Sequence, residues 1–440
     1  VKLTSRTSRV ALATLSLALF ATACGGSGGA ASKGEGPKAG SPKEPVNLTY
    51  WGWTGGAQQV VDAFNASHPD IKVTFSAITG GPDGYAKISN AIKAGNAPDV
   101  AGIEYPTLPE FVSQGFLEDI SSQAGATVKA KFPQGVQERV TLGGKTWAVP
   151  YDATPNLLYY RKDLFQNAGV EVPKTWDEYK AAAEKIKAAD KNVRIGGWGN
   201  DDAPLLAALS WQAGAKWYGT EGDGWKVAIN DAPSQKVASY WQGLVKDDLV
   251  MNLKINGPEF AKAKADGVMA SFIGASWSAG GTMTALAKDS GKWGVAPLPN
   301  WGTPATGMFG GTSYAVTKGS KHVKEAAEFA AWAAISPEGV KARLSSLKSP
   351  SSSLPASPEL RTIAAAAFDD KGFFGGDDVY KIAGAQVDTI VPGWVWGPVQ
   401  TATNTAIQDA GQKGSLTEGL AAGQKAAEEA IKGRGLNLAK

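Results

Sequence analysis

The segment from Val46 to Ile103 alternates between two periodicities, and that alternation limits the chain to one class of fold. Val46, Leu48 and Tyr50 alternate with Asn47, Thr49 and Trp51, which is the period-two pattern of a strand. Val60, Val61 and Phe64 follow helical spacing and stop at Ser67-His68-Pro69. Ile71, Val73 and Phe75 alternate again. A helix around Ala86 to Ala94 then leads through Gly95 and Pro98 to a short apolar strand, Asp99 to Ile103. The order β-α-β-α-β implies parallel strands covered by helices. Helical spacing recurs at Ser234 to Val245 and Val323 to Ala334. Thr175-Trp176-Asp177-Glu178 has the form of a capping box opening another helix, as does Ser415-Leu416-Thr417-Glu418. No repeat of about 20–50 residues is present. A chain of 440 residues supplies cores for two or three domains. The expectation is an α/β protein with two lobes.

The first 23 residues have the pattern of an export signal. Lys2, Arg6 and Arg9 form a basic start, and Val10 to Ala23 an apolar stretch of 14 residues. That stretch is too short to span a bilayer, which takes about 20 residues, but fits a secretory core of about 7–15. Ala21, Thr22 and Ala23 lead into Cys24, the single cysteine of the chain. This junction resembles a bacterial lipoprotein signal, in which the cysteine carries the lipid, although Ala21 stands where such signals usually carry Leu. The other reading is a plain signal peptide with Cys24 incidental. Residues 24–45, rich in Gly, Ser, Ala, Pro, Lys and Glu, cannot form a core and read as a flexible tether with a reach of roughly 25 Å. The arrangement places a folded body at the outer face of the cell membrane.

Composition removes several function classes. The excess of three positive charges is Lys2, Arg6 and Arg9, so the body is neutral and carries no electrostatic footprint for nucleic acid. One cysteine rules out a disulfide framework or a cysteine-rich metal site, and having only two histidines, His68 and His322, far apart in sequence, argues against a histidine metal centre. No cofactor is expected, because no strand-linked G-x-G-x-x-G occurs and Arg139 replaces the first glycine of a P-loop ending in Gly144-Lys145-Thr146. Gly311-Thr312-Ser313-Tyr314-Ala315 misses the nucleophile-elbow pattern at its last position. Both histidines read as surface residues. What stands out is fifteen tryptophans.

Four stretches carry a likeness to a known family. They are the opening strand with VVDAFNASHPD (60–70), APDVAGIEYPTLPEFVSQGFLEDI (97–120), VPYDATPNLLYYRKDLFQNAGVEVPKTWDEY (149–179) and GGTSYAVTKGSKHVKEAAEFAAWAA (310–334). In this order and spacing the chain resembles the family 1 extracellular solute-binding proteins, the sugar-capturing components of ABC importers. The resemblance implies a periplasmic-binding-protein-like fold of two α/β lobes with a hinge and a ligand cleft between them. On that pattern one lobe takes 46–152 and 311–352, the other 153–310 and 353–440. It further implies a monomer that binds an oligosaccharide, is held at the membrane by its lipid, and hands the ligand to permease subunits.

A sugar needs aromatic faces for its C–H surfaces and charged or amide groups for its hydroxyls. Trp51, Trp53 and Thr54 sit at the carboxyl end of the first strand, the edge where open α/β sheets bind ligands, and Glu104 and Tyr105 occupy the same edge after the third. Tyr151 and Asp152 fall where the chain would first cross between lobes, Gly311 and Thr312 at the second crossing. Trp277 lies among small residues, and Trp394 and Trp396, flanked by Gly393, Gly397 and Pro398, resemble the aromatic segment with which relatives line the sugar site. Trp198, Asn200, Asp201 and Trp211 are candidates from loop composition alone. Each has a structural counterpart: a tryptophan can pack in the core, as expected for Trp147, Trp176, Trp241, Trp293 and Trp332; Asp152 can cap the following segment; Gly310-Gly311 can be an ordinary loop. The expected function is non-enzymatic capture of an oligosaccharide. The alternative is a secreted carbohydrate-active hydrolase or lyase, which needs only two carboxylates about 5–10 Å apart.

Overall fold

The computed structural model describes residues 44–200, 202–255, 257–345, 351–370 and 372–439. The expected signal, Cys24 and nearly all of the tether lie outside them, as does Asp201.

The opening alternation produces the expected elements. Strand β1 (Val46–Gly52) buries Leu48 and Tyr50 while Asn47 and Thr49 face outward. It pairs in parallel with β2 (Ile71–Ala77) on one side and β3 (Val100–Glu104) on the other. Helix α1 (Ala57–Ser67) returns the chain from β1 to β2, burying Val60, Val61 and Phe64, and α2 (Pro82–Lys93) returns it from β2 to β3. Proline at the first turn of α2 costs no hydrogen bond, because that N–H has no partner within a helix. A short helix, α3 (Leu108–Ser113), follows β3.

Strand β4 (Ala148–Pro150) closes this part of the chain, which then leaves the sheet. Tyr151 to Asn156 carry it to β5 (Leu157–Arg161), the centre of a second, antiparallel sheet in which β5 lies between β6 (Ser271–Gly274) and β7 (Trp293–Pro297). Helices α4 (Trp176–Ala189), α5 (Ala203–Gln212) and α6 (Ala232–Lys246) intervene between β5 and β6. The capping box of α4 forms as expected: Thr175 Oγ1 accepts from the Glu178 N–H at 3.2 Å, and Glu178 Oε2 accepts from the Thr175 N–H at 3.3 Å. Trp176, Trp241 and Trp293 are buried in this part of the core; Trp147 and Trp332 are half-buried elsewhere, Trp332 against Phe64 of α1.

The chain then returns. Strand β8 (Thr312–Val316) inserts into the first sheet between β3 and β4, antiparallel to both, giving the order β2-β1-β3-β8-β4. β1, β2, β3 and β4 therefore share one direction, and β8 alone runs against them, because it enters from the second lobe rather than from a covering helix. Helices α7 (Val323–Ile335) and α8 (Pro337–Leu344) pack on this first lobe, against β8 and α1 respectively. A third pass, Ser351 to Ala356, leads back, and α9 (Gln400–Gly411) and α10 (Leu416–Gly433) pack on each other and on α5 and α6.

The three passes run side by side and bond to one another. Tyr151 N–H donates to Thr312 O at 2.9 Å, Phe309 N–H to Thr154 O at 2.9 Å, and Ala153 N–H to Leu354 O at 3.0 Å. The result is two α/β lobes joined by a short ribbon of three strands, with a cleft above it. Among the described residues no helix is long and apolar enough to cross a membrane.

Candidate functional site

A cavity of about 680 Å³ opens where the ribbon meets the carboxyl ends of the first sheet. The first lobe supplies Trp53 and Thr54 just past the end of β1, Tyr85 from α2, and Glu104 from the last position of β3. The ribbon supplies one side chain or turn from each pass: Asp152, then Phe309 to Thr312, then Ser351 to Ser353. The second lobe supplies Asp202 at the start of α5, Trp277 after β6, Trp396, and one face of α9. That face is Gln400, Thr401, Asn404, Thr405 and Gln408, spaced as neighbours on a helix surface.

The aromatic groups are held in place by partners. Trp53 meets Tyr85 edge to face, ring centroids 5.8 Å apart, and Gly80 lies so close beneath it that a Cβ there would sit 3.0 Å from the indole. The Tyr85 hydroxyl donates to the Glu104 carboxylate. Trp277 Nε1 donates to Phe309 O at 3.2 Å, which fixes that indole against the second pass of the ribbon. Trp396 is supported edge-on by Trp394, 5.1 Å away.

Two acids, Asp152 buried and Glu104 half-buried, face the same space. Asp152 Oδ1 accepts from the Thr312 N–H at 2.8 Å, and burial pushes its carboxyl up to about 7 despite that bond and the nearby Arg343 and Ser353. Burial also raises Glu104, with the Tyr85 hydroxyl partly offsetting it. Gln400, 3% exposed, donates through Nε2 to Asn404 Oδ1 at 2.8 Å, while its Oε1 has no hydrogen-bond partner in the protein. The cavity thus combines aromatic side chains on both walls with carboxyl, amide and hydroxyl groups, and among the described residues no group of His, Cys, Asp and Glu could hold a metal ion.

Of the residues singled out from sequence, Trp53, Thr54, Glu104, Asp152, Trp277, Gly311, Thr312 and Trp396 line this cavity. The others do not. Trp51 lies within the β1 ladder with the Lys87 ammonium 5.0 Å from its ring. Tyr105 is buried and donates its hydroxyl to Asp152 O at 2.7 Å. Tyr151 points away from the cavity into the core, under the Arg343 guanidinium at 4.5 Å. Trp394 is buried and stacked on Trp211, rings 5.1 Å apart and nearly parallel. Asn200 lies beside Asn252, and Trp198 stacks on Trp241. His68 and His322, expected on the surface, are half-buried, and His68 stacks on Phe64 at 4.0 Å. Neither lines the cavity. Sequence reasoning missed Tyr85, Asp202, Ser351 to Ser353 and the polar face of α9. The only signal for the last was a run of small amides and hydroxyls at helical spacing, which reads equally as a solvated face.

Comparison with known proteins agrees with this geometry. The profile described as bacterial extracellular solute-binding protein matches residues 50–340. The arabinooligosaccharide-binding protein of Bacillus subtilis is 27% identical over 315 residues, covering 67% of this chain and 71% of that protein. The diacetylchitobiose-binding protein DasA of Streptomyces coelicolor is 28% identical, covering 55% of this chain and 58% of its own. Among solved structures, the galacto-N-biose/lacto-N-biose I-binding protein of an ABC transporter from Bifidobacterium longum, in complex with lacto-N-biose, superposes with a TM-score of 0.80 at 27% identity, over 91% of this chain and all of that one. The ABC transporter-associated binding protein of B. animalis subsp. lactis Bl-04, in complex with β-1,6-galactobiose, gives a TM-score of 0.78 at 27% identity, over 90% of this chain and all of that one.

Proposed function

The chain belongs to the bacterial extracellular solute-binding proteins, and from that premise we propose that it captures an oligosaccharide between its two lobes and delivers it, unaltered, to an ABC importer. The observation that carries this reading is the cavity itself, where Trp53 and Tyr85 on one wall oppose Trp277 and Trp396 on the other, with Glu104 and Asp152 at its floor. Indole faces take the C–H surfaces of a sugar, and the carboxyls and the amides of α9 take its hydroxyls. A ligand that touches both walls binds the closed arrangement best and so shifts the lobes toward it, which gives the importer a shape to recognise. Driving the lobes from mostly open to mostly closed takes about 5.5 kcal/mol of differential affinity.

In this reading the lobes divide as 46–152 with 311–352 and 153–310 with 353–440, the protein acts as a monomer, and Cys24 carries the lipid that holds it at the outer face of the membrane. The anchor is tested by mass spectrometry of the membrane-extracted protein beside Cys24→Ala, which releases it. The function is tested by a thermal-shift and calorimetric screen of di- and trisaccharides, followed by chromatography of the recovered ligand. Saturable binding with the sugar returned intact supports capture; cleavage of any oligosaccharide in the panel establishes a hydrolase or lyase instead.

A further inference from the structure

We propose, building on the saccharide-binding reading, that the cavity selects its ligand by charge: it rejects acidic saccharides and holds one bearing a protonated amino group more tightly than the neutral counterpart. Three carboxyl groups line it, those of Glu104, Asp152 and Asp202, and among the described lining residues there is no lysine, arginine or histidine. Cations stand behind the wall rather than on it. Arg343 lies over the Tyr151 ring and donates Nη1 to Tyr151 O at 3.3 Å, and Lys87 lies over Trp51 at 5.0 Å.

Three features act in the same direction. Asp152 is buried and Glu104 half-buried, and burial raises both, so neither carboxyl has a full ionic counterweight within the protein and a cation beside them favours their charged forms. The faces of Trp53, Tyr85, Trp277 and Trp396 carry the negative lobe of the aromatic quadrupole, which attracts a cation and repels an anion. Gln400, a lining residue, keeps a buried acceptor, its Oε1, without a protein partner, while its Nε2 is spent on Asn404. An ammonium on the sugar would supply the missing positive charge and donate to acceptors already in place. A carboxylate would be stripped of water against like charge and ring faces, with little to bond to.

The test is calorimetry on the purified protein at pH 7. The probes are neutral disaccharides (lactose, cellobiose, β-1,6-galactobiose, diacetylchitobiose), together with the amino and carboxylate forms of whichever backbone binds, for cellobiose the chitosan disaccharide and cellobiouronic acid. The expected result is an amino form at least about tenfold tighter than the neutral one, a carboxylate form at least tenfold weaker, and a preference that shrinks in Glu104→Gln and Asp152→Asn and at high salt. Neutral binding with no gain for the amine, equal binding of the acid, or a preference unchanged in both variants overturns charge selection and leaves saccharide capture standing. No binding by any member of the panel removes the saccharide reading, and this inference with it.

Discussion

Glu110 and Arg434 lie 324 positions apart in the chain and meet across the cleft in an ion pair of 2.6 Å. The other oxygen of Glu110 accepts from the N–H and hydroxyl of Thr401, at 2.9 and 3.0 Å, in the first turn of α9. A carboxylate at a helix N-terminus is favoured by the helix dipole, and this one is buried beside the cavity wall. Nearby, Arg139 of the first lobe lies 5.1 Å over the ring of Trp211 in the second. These contacts latch the lobes together through protein groups alone.

Glu110→Gln therefore weakens the closed arrangement without touching the ligand. Its charged hydrogen bonds are worth about 1.5–3 kcal/mol each before compensation, so affinity is expected to fall roughly 5- to 30-fold. The ligand-free protein should also scatter as a larger particle. Calorimetry and small-angle scattering read the two effects; unchanged values of both contradict the latch.

The tryptophans separate into two behaviours. Trp53→Ala and Trp277→Ala remove half-buried rings from the cavity, and each is expected to cost about 1–2 kcal/mol of binding with a smaller effect on folding. Trp394→Ala empties a buried position stacked on Trp211, and about 3–5 kcal/mol of stability should go with it. Denaturation midpoints beside binding isotherms distinguish these; a stable Trp394→Ala with lost binding would reverse the assignment.

Asp152 predicts a pH dependence with a definite sign. Its carboxyl rises from 3.8 to about 7 on folding, so between those values the folded protein keeps a proton that the unfolded chain has released. Stability from this group is fully present below about pH 4, declines as pH rises toward 7, and is level above. The groups facing it are Thr312, Ser353, Arg343, Glu104 and Tyr105, from both lobes and all neighbouring passes. Asp152→Asn keeps an acceptor for the Thr312 N–H and removes the titration. The loss of stability between pH 5 and pH 8 should be about 1–3 kcal/mol smaller in the variant, read by thermal unfolding without ligand.

Gly311 sits at φ 97°, and a Cβ there would meet the Tyr105 ring at 2.6 Å and Thr154 Oγ1 at 3.0 Å. Gly311→Ala is expected to destabilise by about 1–3 kcal/mol. Gly281→Ala, also on the cavity wall, meets nothing within 4 Å and should be tolerated. Equal melting temperatures for the two would remove the strain argument.

The opening β-α-β-α-β segment was readable because each element there buries one face at its own period, and Trp53 was readable because it follows the last paired residue of a strand. The paired candidates show where such reasoning stops short. In Glu104-Tyr105 and in Tyr151-Asp152 the acid faces the cavity and the tyrosine packs behind, because adjacent residues in extended chain point to opposite sides. That rule allows one member of each pair, and only the fold says which. Trp394 and Trp396 differ for another reason: a second indole, Trp211, stacks on Trp394 from 183 positions away and covers it. The face of α9 escaped notice because a helix surface of amides and hydroxyls looks alike whether it meets bulk solvent or a cleft.

The place of β8 between β3 and β4 has a consequence for how the molecule comes into being. Its neighbours are made early, yet the gap between them is filled by a strand that ends at Val316. As the polypeptide emerges during synthesis, the amino-terminal half-sheet waits with two unsatisfied edges while the intervening lobe is produced. No single cut in the backbone separates the two lobes, because the first sheet is completed only by a strand that follows the second sheet in the chain.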